Sequence, residues 1–144
     1  MLRKLTATTS SWATLPLRLG LGAIFIAHGA QKVLGAFNGP GWAKWTSMSQ
    51  MVPFSFMRPT WLWLGAAAVG ELLGGVLILL GLLTRVGAFL IICSMLTAII
   101  GIHWPAFFAP AGMEFALACL AGALALLIAG GGQASMDQAI SRRR

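Results

Sequence analysis

The chain has 144 residues, of which 58% are hydrophobic and 9% are charged. A soluble domain carries about 25% charged residues, so this composition excludes a soluble globular domain and indicates an integral membrane protein. The formal net charge of +7 comes from basic residues spread over termini and loops. They form no tract that follows a phosphate backbone, so nucleic acid is not expected as a partner. Cys93 and Cys119 lie in apolar stretches and are interpreted as small packing residues.

Four segments are long and apolar enough to cross a bilayer, which takes roughly 20 predominantly apolar residues in a helix. They cover residues 15–37, 61–83, 86–104 and 113–131. A cleaved signal peptide is the alternative for the first segment, but Arg18 interrupts its apolar core and favours an uncleaved span. The sequence therefore predicts an all-α integral membrane four-helix bundle that forms a single domain over residues 1–144.

The basic residues predict the orientation of this bundle. Four spans place both termini on one side, and the positive-inside rule makes that side cytoplasmic. The basic residues assigned to it are Arg3, Lys4, Arg85, Arg142, Arg143 and Arg144, while Lys44 and Arg58 face outward. Tryptophans at the outer side match the aromatic belt of a membrane interface: Trp42, Trp45, Trp61, Trp63 and Trp104. We therefore expect a multi-pass protein of a bacterial-type inner membrane.

The segment between the first two spans, residues 38–60, is too polar and too rich in proline to cross the membrane. Within it, Trp42, Trp45, Met48 and Val52 recur at helical spacing. A short helix on the outer surface and an ordered loop packed on the bundle are both compatible with this pattern. Either one would cover the outer end of the helices.

Small residues inside the spans are expected to let helix backbones approach closely, as is common in membranes. They recur on one face of the second span at Ala66, Gly70 and Gly74. The first span offers a similar set at Gly20, Gly22 and Gly29.

Ionisable residues inside a membrane are costly and mark candidate functional sites. Arg18 lies near the inner end of its span and is interpreted as snorkelling to the cytoplasmic headgroups. Five further groups share the outer half when depth is counted at about 1.5 Å per residue. They are His28, Lys32, Glu71, His103 and Glu114, and we take them as a candidate polar pocket.

The geometry of a helix brings part of this set together. His28 and Lys32 are four residues apart and share a face, and Glu71 lies at nearly the depth of His28, so either residue is a possible partner for it. One hypothesis is an outward-opening pocket in which Glu71 and His28 exchange protons and Lys32 holds an anion. The other is a structural ion pair that fixes the first two helices. No HxxxH or ExxH spacing supports a metal site.

Several motifs, in order, resemble the DoxX family of small membrane proteins. They read LRLGLG at 17–22, HGAQK at 28–32, GPG at 39–41, GELLGG at 70–75, GLLTR at 81–85, HWP at 103–105 and EFAL at 114–117. The resemblance implies a four-helix membrane bundle. It also implies a link with redox or sulfur-handling complexes, because the family is named after a small subunit associated with thiosulfate:quinone oxidoreductase. Arg18, Lys32, Glu71 and Glu114 stand at polar positions of these motifs.

The combined expectation is a small inner-membrane subunit serving a redox or respiratory complex, with a quinone or a sulfur compound as ligand. No haem-attachment, iron–sulfur or dinucleotide motif is present, so the cofactor would be an exchangeable quinone or belong to a partner subunit. Membrane lipid and other subunits are the expected partners, and no catalytic residue is assigned, which leaves enzymatic activity open. The alternatives are a non-catalytic anchoring subunit of a larger membrane complex and, third, a small proton or anion transporter.

Overall fold

The computed structural model describes residues 6–142. Within that range it contains helices and no β-strands, in the following order: α1 (Thr14–Leu34), α2 (Gly41–Ser47), α3 (Thr60–Leu80), α4 (Thr84–Ala98), a π-helical continuation of α4 (Ile99–His103), α5 (Glu114–Ala129) and α6 (Met136–Arg142). The predicted all-α bundle is confirmed. The basic residues Arg3, Lys4, Arg143 and Arg144, used for the orientation, lie outside the described residues.

The four long helices form one packed bundle. The central helix α3 packs against α1 and α4, α4 packs against α5, and α5 returns to α1 with a smaller contact. Apolar side chains from all four helices form the core, among them Phe25, Ile78, Ile91 and Leu126. We call the end of the bundle where α1 begins and α3 ends the proximal end, and the opposite end, where α1 stops and α3 begins, the distal end.

Three of these helices end before the predicted spans do: α1 at Leu34, α3 at Leu80 and α5 at Ala129, against predicted ends at 37, 83 and 131. Two helices, Thr60–Leu80 and Thr84–His103, are each long and apolar enough to cross a membrane, and α1 qualifies only together with the segment Ala36–Ser47, from which it is bent by 90°. The first span was predicted to reach Phe37, but α1 stops at Leu34 because Gly35 adopts a left-handed conformation. The helix of the fourth predicted span, α5, is 16 residues long and ends before Gly130, where the backbone φ is positive.

The sides of these helices expose large apolar residues. Examples are Val69 and Leu73 on α3, Phe89 on α4, and Leu124 and Ile128 on α5. Water does not favour such a surface on several neighbouring helices, whereas lipid chains do. Together with the apolar spans, these exposed side chains describe a multi-pass membrane protein.

Glycines set the close contact between α1 and α3. A Cβ added to Gly29 would lie 2.5 Å from the Cα of Leu72, and one added to Gly75 would lie 2.7 Å from the amide nitrogen of Ile26. The prediction of packing glycines was right for Gly29 but wrong for Gly20 and Gly70. An added Cβ at either of those two positions would meet no heavy atom of the described residues within 4 Å.

Arg18 is buried at the proximal end, with only 2% of its surface exposed. The interpretation that it snorkels to the membrane surface was wrong. Its Nε donates to the carbonyl of Ile78 (3.0 Å), Nη2 to that of Leu79 (2.9 Å), and Nη1 to those of Gly131 and Ala134 (3.1 Å each). The carbonyls at the end of α3 lack partners within the helix, and the five N–H donors of a guanidinium satisfy such a set better than water at the membrane surface.

Asp137 performs the complementary task at the beginning of α4, and it is 1% exposed. Its carboxylate accepts hydrogen bonds from the amides of Leu83 (2.8 Å) and Thr84 (2.9 Å) and from the Thr84 hydroxyl (2.8 Å). A negative charge at a helix N-terminus and a positive charge at a helix C-terminus both match the helix dipole. We call Arg18 and Asp137 together the proximal clamp, because they hold both sides of the α3–α4 turn.

The segment between α1 and α3 combines the two alternatives left open by the sequence. The short helix α2 forms, but it ends at Ser47, before Met48 and Val52, and the rest of the segment is loop packed on the bundle. α2 lies across the distal ends of α1 and α3 and docks through its tryptophans. The Trp42 ring packs against Gly65, whose lack of a side chain leaves room for it. The Trp45 indole N–H donates to the carbonyl of Leu64 at 2.8 Å.

Candidate functional site

A cavity of about 520 Å³ lies in the distal half of the bundle. It is bounded by α1, α3, α4 and α5, and the loop that follows α2 contributes Met51, Pro53 and Met57. Its lining is predominantly apolar and aromatic, including Phe25 and Trp63. This volume and this lining are typical of small-molecule sites in proteins.

Two small residues of α3 create part of this space. Ala66 and Gly70, one helical turn apart, both line the cavity. The sequence was interpreted as placing them in a helix–helix contact, but at Gly70 a side chain would extend into open space. Their small size therefore leaves volume for a ligand beside α3.

The polar feature of the cavity wall is an ion pair between Lys32 on α1 and Glu71 on α3. The side chains of Lys32 and Glu71 are 17% and 8% exposed. Of the two contacts left open by the sequence for Glu71, the structure forms the one with Lys32. An ion pair so little exposed is sensitive to the loss of either member, because the remaining charge would be left without compensation.

The same lysine joins the ion pair to α2. Its ammonium nitrogen lies 5.1 Å from the centre of the Trp45 ring, a distance at which the ring quadrupole attracts a cation. Since the Trp45 indole is itself bonded to α3, the ring is fixed over the lysine. The helix α2 is thereby held over the ion pair.

The two histidines predicted for the pocket both line the cavity. His28 is exposed, and its ring centre lies 6.3 Å from that of Phe115 on α5. The Nδ1 atom of His103 lies 2.8 Å from the carbonyl oxygen of Ala111. A carbonyl only accepts, so Nδ1 carries the hydrogen and Nε2 of the neutral ring is an acceptor. His103 ends the π-helical turn, a distortion often found at functional sites.

Glu114 is the one candidate that the structure does not bring to the cavity lining. Its Oε1 accepts a hydrogen bond from the amide of Ala109 at 2.8 Å, and the residue begins α5. A carboxylate there stabilises the helix N-terminus and fixes the loop between α4 and α5. All three acidic residues of the chain, Glu71, Glu114 and Asp137, therefore have a bonding partner.

One wall of the cavity was missed by the sequence reasoning. Cys93, Ser94 and Thr97 on α4 line it, and the Thr97 hydroxyl donates to the carbonyl of Cys93 at 2.9 Å. The interpretation of Cys93 as a packing residue was wrong, because it is exposed, whereas Cys119 lies buried in the core. The signal was present in the spacing, since positions three and four apart share one face of a helix.

No three His, Cys, Asp or Glu side chains among residues 6–142 lie close enough together to hold a metal ion.

A packed helical bundle with apolar outer faces and a partly open cavity defines a multi-pass membrane protein with space for a small molecule. The model of the DoxX family matches residues 13–104, which is more than half of the chain. The chain therefore belongs to the DoxX family. Comparison with curated proteins and with solved structures found no match.

Proposed function

We propose that the protein is a small membrane subunit of a redox or respiratory complex, and that its distal cavity binds a small redox ligand, either a quinone head group or a sulfur oxyanion. The observation that carries this proposal is the Lys32–Glu71 ion pair in the wall of a cavity with an otherwise largely apolar lining. Binding sites for small molecules combine such linings with a few polar groups that orient the ligand.

The polar groups of the cavity have the chemistry that a quinone requires. The Lys32 ammonium donates hydrogen bonds, the Glu71 carboxylate accepts them, and the neutral His103 ring offers an acceptor at Nε2. Reduction of a quinone to its quinol takes up two electrons and two protons. A group within hydrogen-bond reach of a ring oxygen passes it a proton only from its protonated form, so Glu71 and His103 would take up a proton from water before passing it on. In this proposal a partner subunit of the complex delivers the electrons.

The proposal includes an exchangeable quinone as cofactor, partner subunits, and cytoplasmic termini in a bacterial-type inner membrane. Two arginines of the described chain support this orientation. Arg85 lies at the proximal end, where its guanidinium bonds to the carbonyls of Ala7 (3.1 Å) and Ile128 (2.9 Å). Arg142 ends α6. Basic residues on the terminal side agree with cytoplasmic termini under the positive-inside rule.

Ligand binding to the purified protein in lipid nanodiscs tests the proposal. Trp45 and Trp63 line the cavity, so a bound quinone is expected to quench their fluorescence. The probes are a short-chain, fully substituted benzoquinone, and thiosulfate measured by calorimetry. Gly70→Leu fills the cavity, and Gly20→Leu is its matched control, because both positions have open space but only Gly70 lines the cavity.

We expect at least one probe to bind, and Gly70→Leu to weaken it by about tenfold or more, which corresponds to about 1.4 kcal/mol. Glu71→Gln is expected to lower quinone affinity by a similar factor, because the Lys32 ammonium that donates to a quinone carbonyl loses the carboxylate that holds it in place, while Glu114→Gln, outside the cavity, leaves it unchanged. Binding that Gly70→Leu and Glu71→Gln leave intact would refute the proposal. If neither probe binds and the protein co-migrates with other polypeptides on blue-native gels, it is the anchoring subunit instead.

A further inference from the structure

We propose that the Lys32–Glu71 ion pair makes the cavity selective for uncharged ligands and excludes small anions. This inference rests on the proposed function, since it concerns the same cavity and decides between the two ligand classes named there. It assigns a specificity-determining role to two residues whose contact would otherwise serve only to hold α1 against α3.

The charges of the cavity lining support this selectivity. Among the lining residues, Lys32 and Glu71 are the basic and acidic side chains that form an ion pair. The positive and negative charges therefore cancel within the wall. The lining otherwise consists mostly of apolar and aromatic side chains. An anion that entered would lose hydration without meeting an uncompensated positive charge, which is unfavourable.

The ammonium of Lys32 does not attract an incoming anion as a free cation would. It contacts the Glu71 carboxylate and lies 5.1 Å from the centre of the Trp45 ring. An anion that accepted from its other N–H donors would lie beside the negative charge of Glu71, whose side chain is 8% exposed. An anion that displaced Glu71 would leave this carboxylate buried without compensation, which is strongly unfavourable.

The histidines of the lining do not replace the lysine as an anion site. The Nδ1–H of His103 is already bonded to the carbonyl of Ala111. His28 is exposed beside Phe115 and is not enclosed within the apolar part of the lining. An uncharged ring with carbonyl or hydroxyl groups matches these surroundings, because it accepts from Lys32 or donates to Glu71 without separating them.

The chain contains its own reporter for this selectivity. Cys93 is exposed and lines the cavity, whereas Cys119 is 3% exposed within the core. Methanethiosulfonate reagents modify thiols by one chemistry and come in neutral, anionic and cationic forms of similar size. Their rates of reaction with Cys93 therefore compare how readily each charge type enters the cavity. A Cys93→Ser variant identifies any reaction at Cys119.

The experiment measures these rates by mass spectrometry for the full chain in nanodiscs of uncharged lipid. In the wild type, we expect the neutral reagent to react at least about tenfold faster than the anionic reagent, relative to their rates with a free thiol. Glu71→Gln leaves the charge of Lys32 uncompensated, and the anionic rate is expected to rise about tenfold, the lower end of typical electrostatic focusing. The double variant Lys32→Gln/Glu71→Gln cancels that charge and is expected to restore the low anionic rate.

Equal normalised rates for neutral and anionic reagents in the wild type would overturn the inference. An anionic rate that is the same in Glu71→Gln and in the wild type would also overturn it, because the ion pair would then not be its cause. If Glu71→Gln does not fold, a second measurement on the wild type tests the inference: whether an added ligand protects Cys93 from modification. The uncharged benzoquinone is expected to slow the neutral reagent, whereas sulfate is expected to have no effect, and protection by sulfate refutes the inference.

The two proposals fail in different experiments. Tight thiosulfate binding that Gly70→Leu abolishes would leave the proposed function standing and refute the charge selectivity. Conversely, a strong preference of Cys93 for the neutral reagent, together with binding that Gly70→Leu does not affect, would support the selectivity and refute the proposed function.

Discussion

Replacing Arg18 by methionine tests the importance of the proximal clamp. Methionine keeps a flexible apolar stem of similar length but lacks the guanidinium, which donates to four backbone carbonyls. Arg18 is 2% exposed. A buried acceptor that loses its partner costs about 1–3 kcal/mol. The carbonyls of Leu79 and Ala134 lose the guanidinium, whereas Ile78 still accepts from the Gly81 amide and Gly131 from the Thr14 hydroxyl. We therefore expect a loss of about 3–5 kcal/mol, the range measured when buried charged contacts are broken.

Thermal unfolding in detergent measures this loss. A dye that becomes fluorescent on reaction with thiols reports exposure of Cys119, which is buried in the core, in a Cys93→Ser background that removes the exposed thiol. At about 2–4 °C per kcal/mol for a chain of this size, Arg18→Met is expected to lower Tm by about 10 °C. Arg18→Lys replaces the planar guanidinium by a single ammonium, so its Tm should lie between those of the wild type and Arg18→Met.

The control is Arg58→Met, because Arg58 is exposed in the loop before α3. It removes the same charge from the chain and is expected to leave Tm unchanged. A Tm of Arg18→Met within about 2 °C of the wild type, less than 1 kcal/mol on this scale, would refute the reasoning. It would show that the carbonyls find other partners at no cost.

Of three further predictions, two use the same thermal unfolding assay and the third uses hydrogen exchange of individual backbone amides. Gly29→Ala should lower Tm markedly, because its Cβ would lie 2.5 Å from the backbone of α3 and overpacking costs about 1–3 kcal/mol. Gly20→Ala has open space around it and should raise Tm slightly through its higher helix propensity. The reverse order of the two Tm values would contradict the assigned packing. Asp137→Asn should cost about 1–2 kcal/mol, because an amide side chain lacks the charge that favours the α4 N-terminus, and an unchanged Tm would show that the charge contributes nothing. Trp45→Phe removes the hydrogen bond from the indole N–H to α3, which is worth about 1 kcal/mol. The backbone amides of α2 should therefore exchange hydrogen about fivefold faster than in the wild type, while those in the middle of α3 should not change. Equal exchange rates of the α2 amides in variant and wild type would mean that this bond does not hold α2 on α3.

The helices were predictable because hydrophobic length is a local property of the sequence. The starts of α3 and α4 lie one to two residues from the predicted spans at 61 and 86. The ends of α1 and α3 were each missed by three residues, because the left-handed conformations of Gly35 and Gly81 that stop them do not show in hydrophobic length. The pairing of Lys32 with Glu71 was one of two alternatives, because depth along a helix does not fix which side chain points at the partner.

The roles of Arg18 and Asp137 were not predictable from spacing. Both depend on contacts between residues more than 50 positions apart in the chain, and a charge near a span end is compatible with either burial or snorkelling. Cys93 was misread for a related reason. Whether a small thiol faces the core or a cavity depends on the neighbouring helices, and its apolar surroundings in the sequence do not show this.

The proximal clamp also has a consequence for biosynthesis. Arg18 and the first amides of α4 emerge from the ribosome before residues 131–137, which complete the clamp with Gly131, Ala134 and Asp137. Arg18 can bond to the carbonyls of Ile78 and Leu79 as soon as α3 is made, but its Nη1 and the amides of Leu83 and Thr84 must enter the membrane still hydrated or bound to lipid headgroups. Final packing of this end follows synthesis of residues 131–137, so a ribosome-stalled chain lacking residues beyond 130 would report an inserted but incompletely assembled bundle.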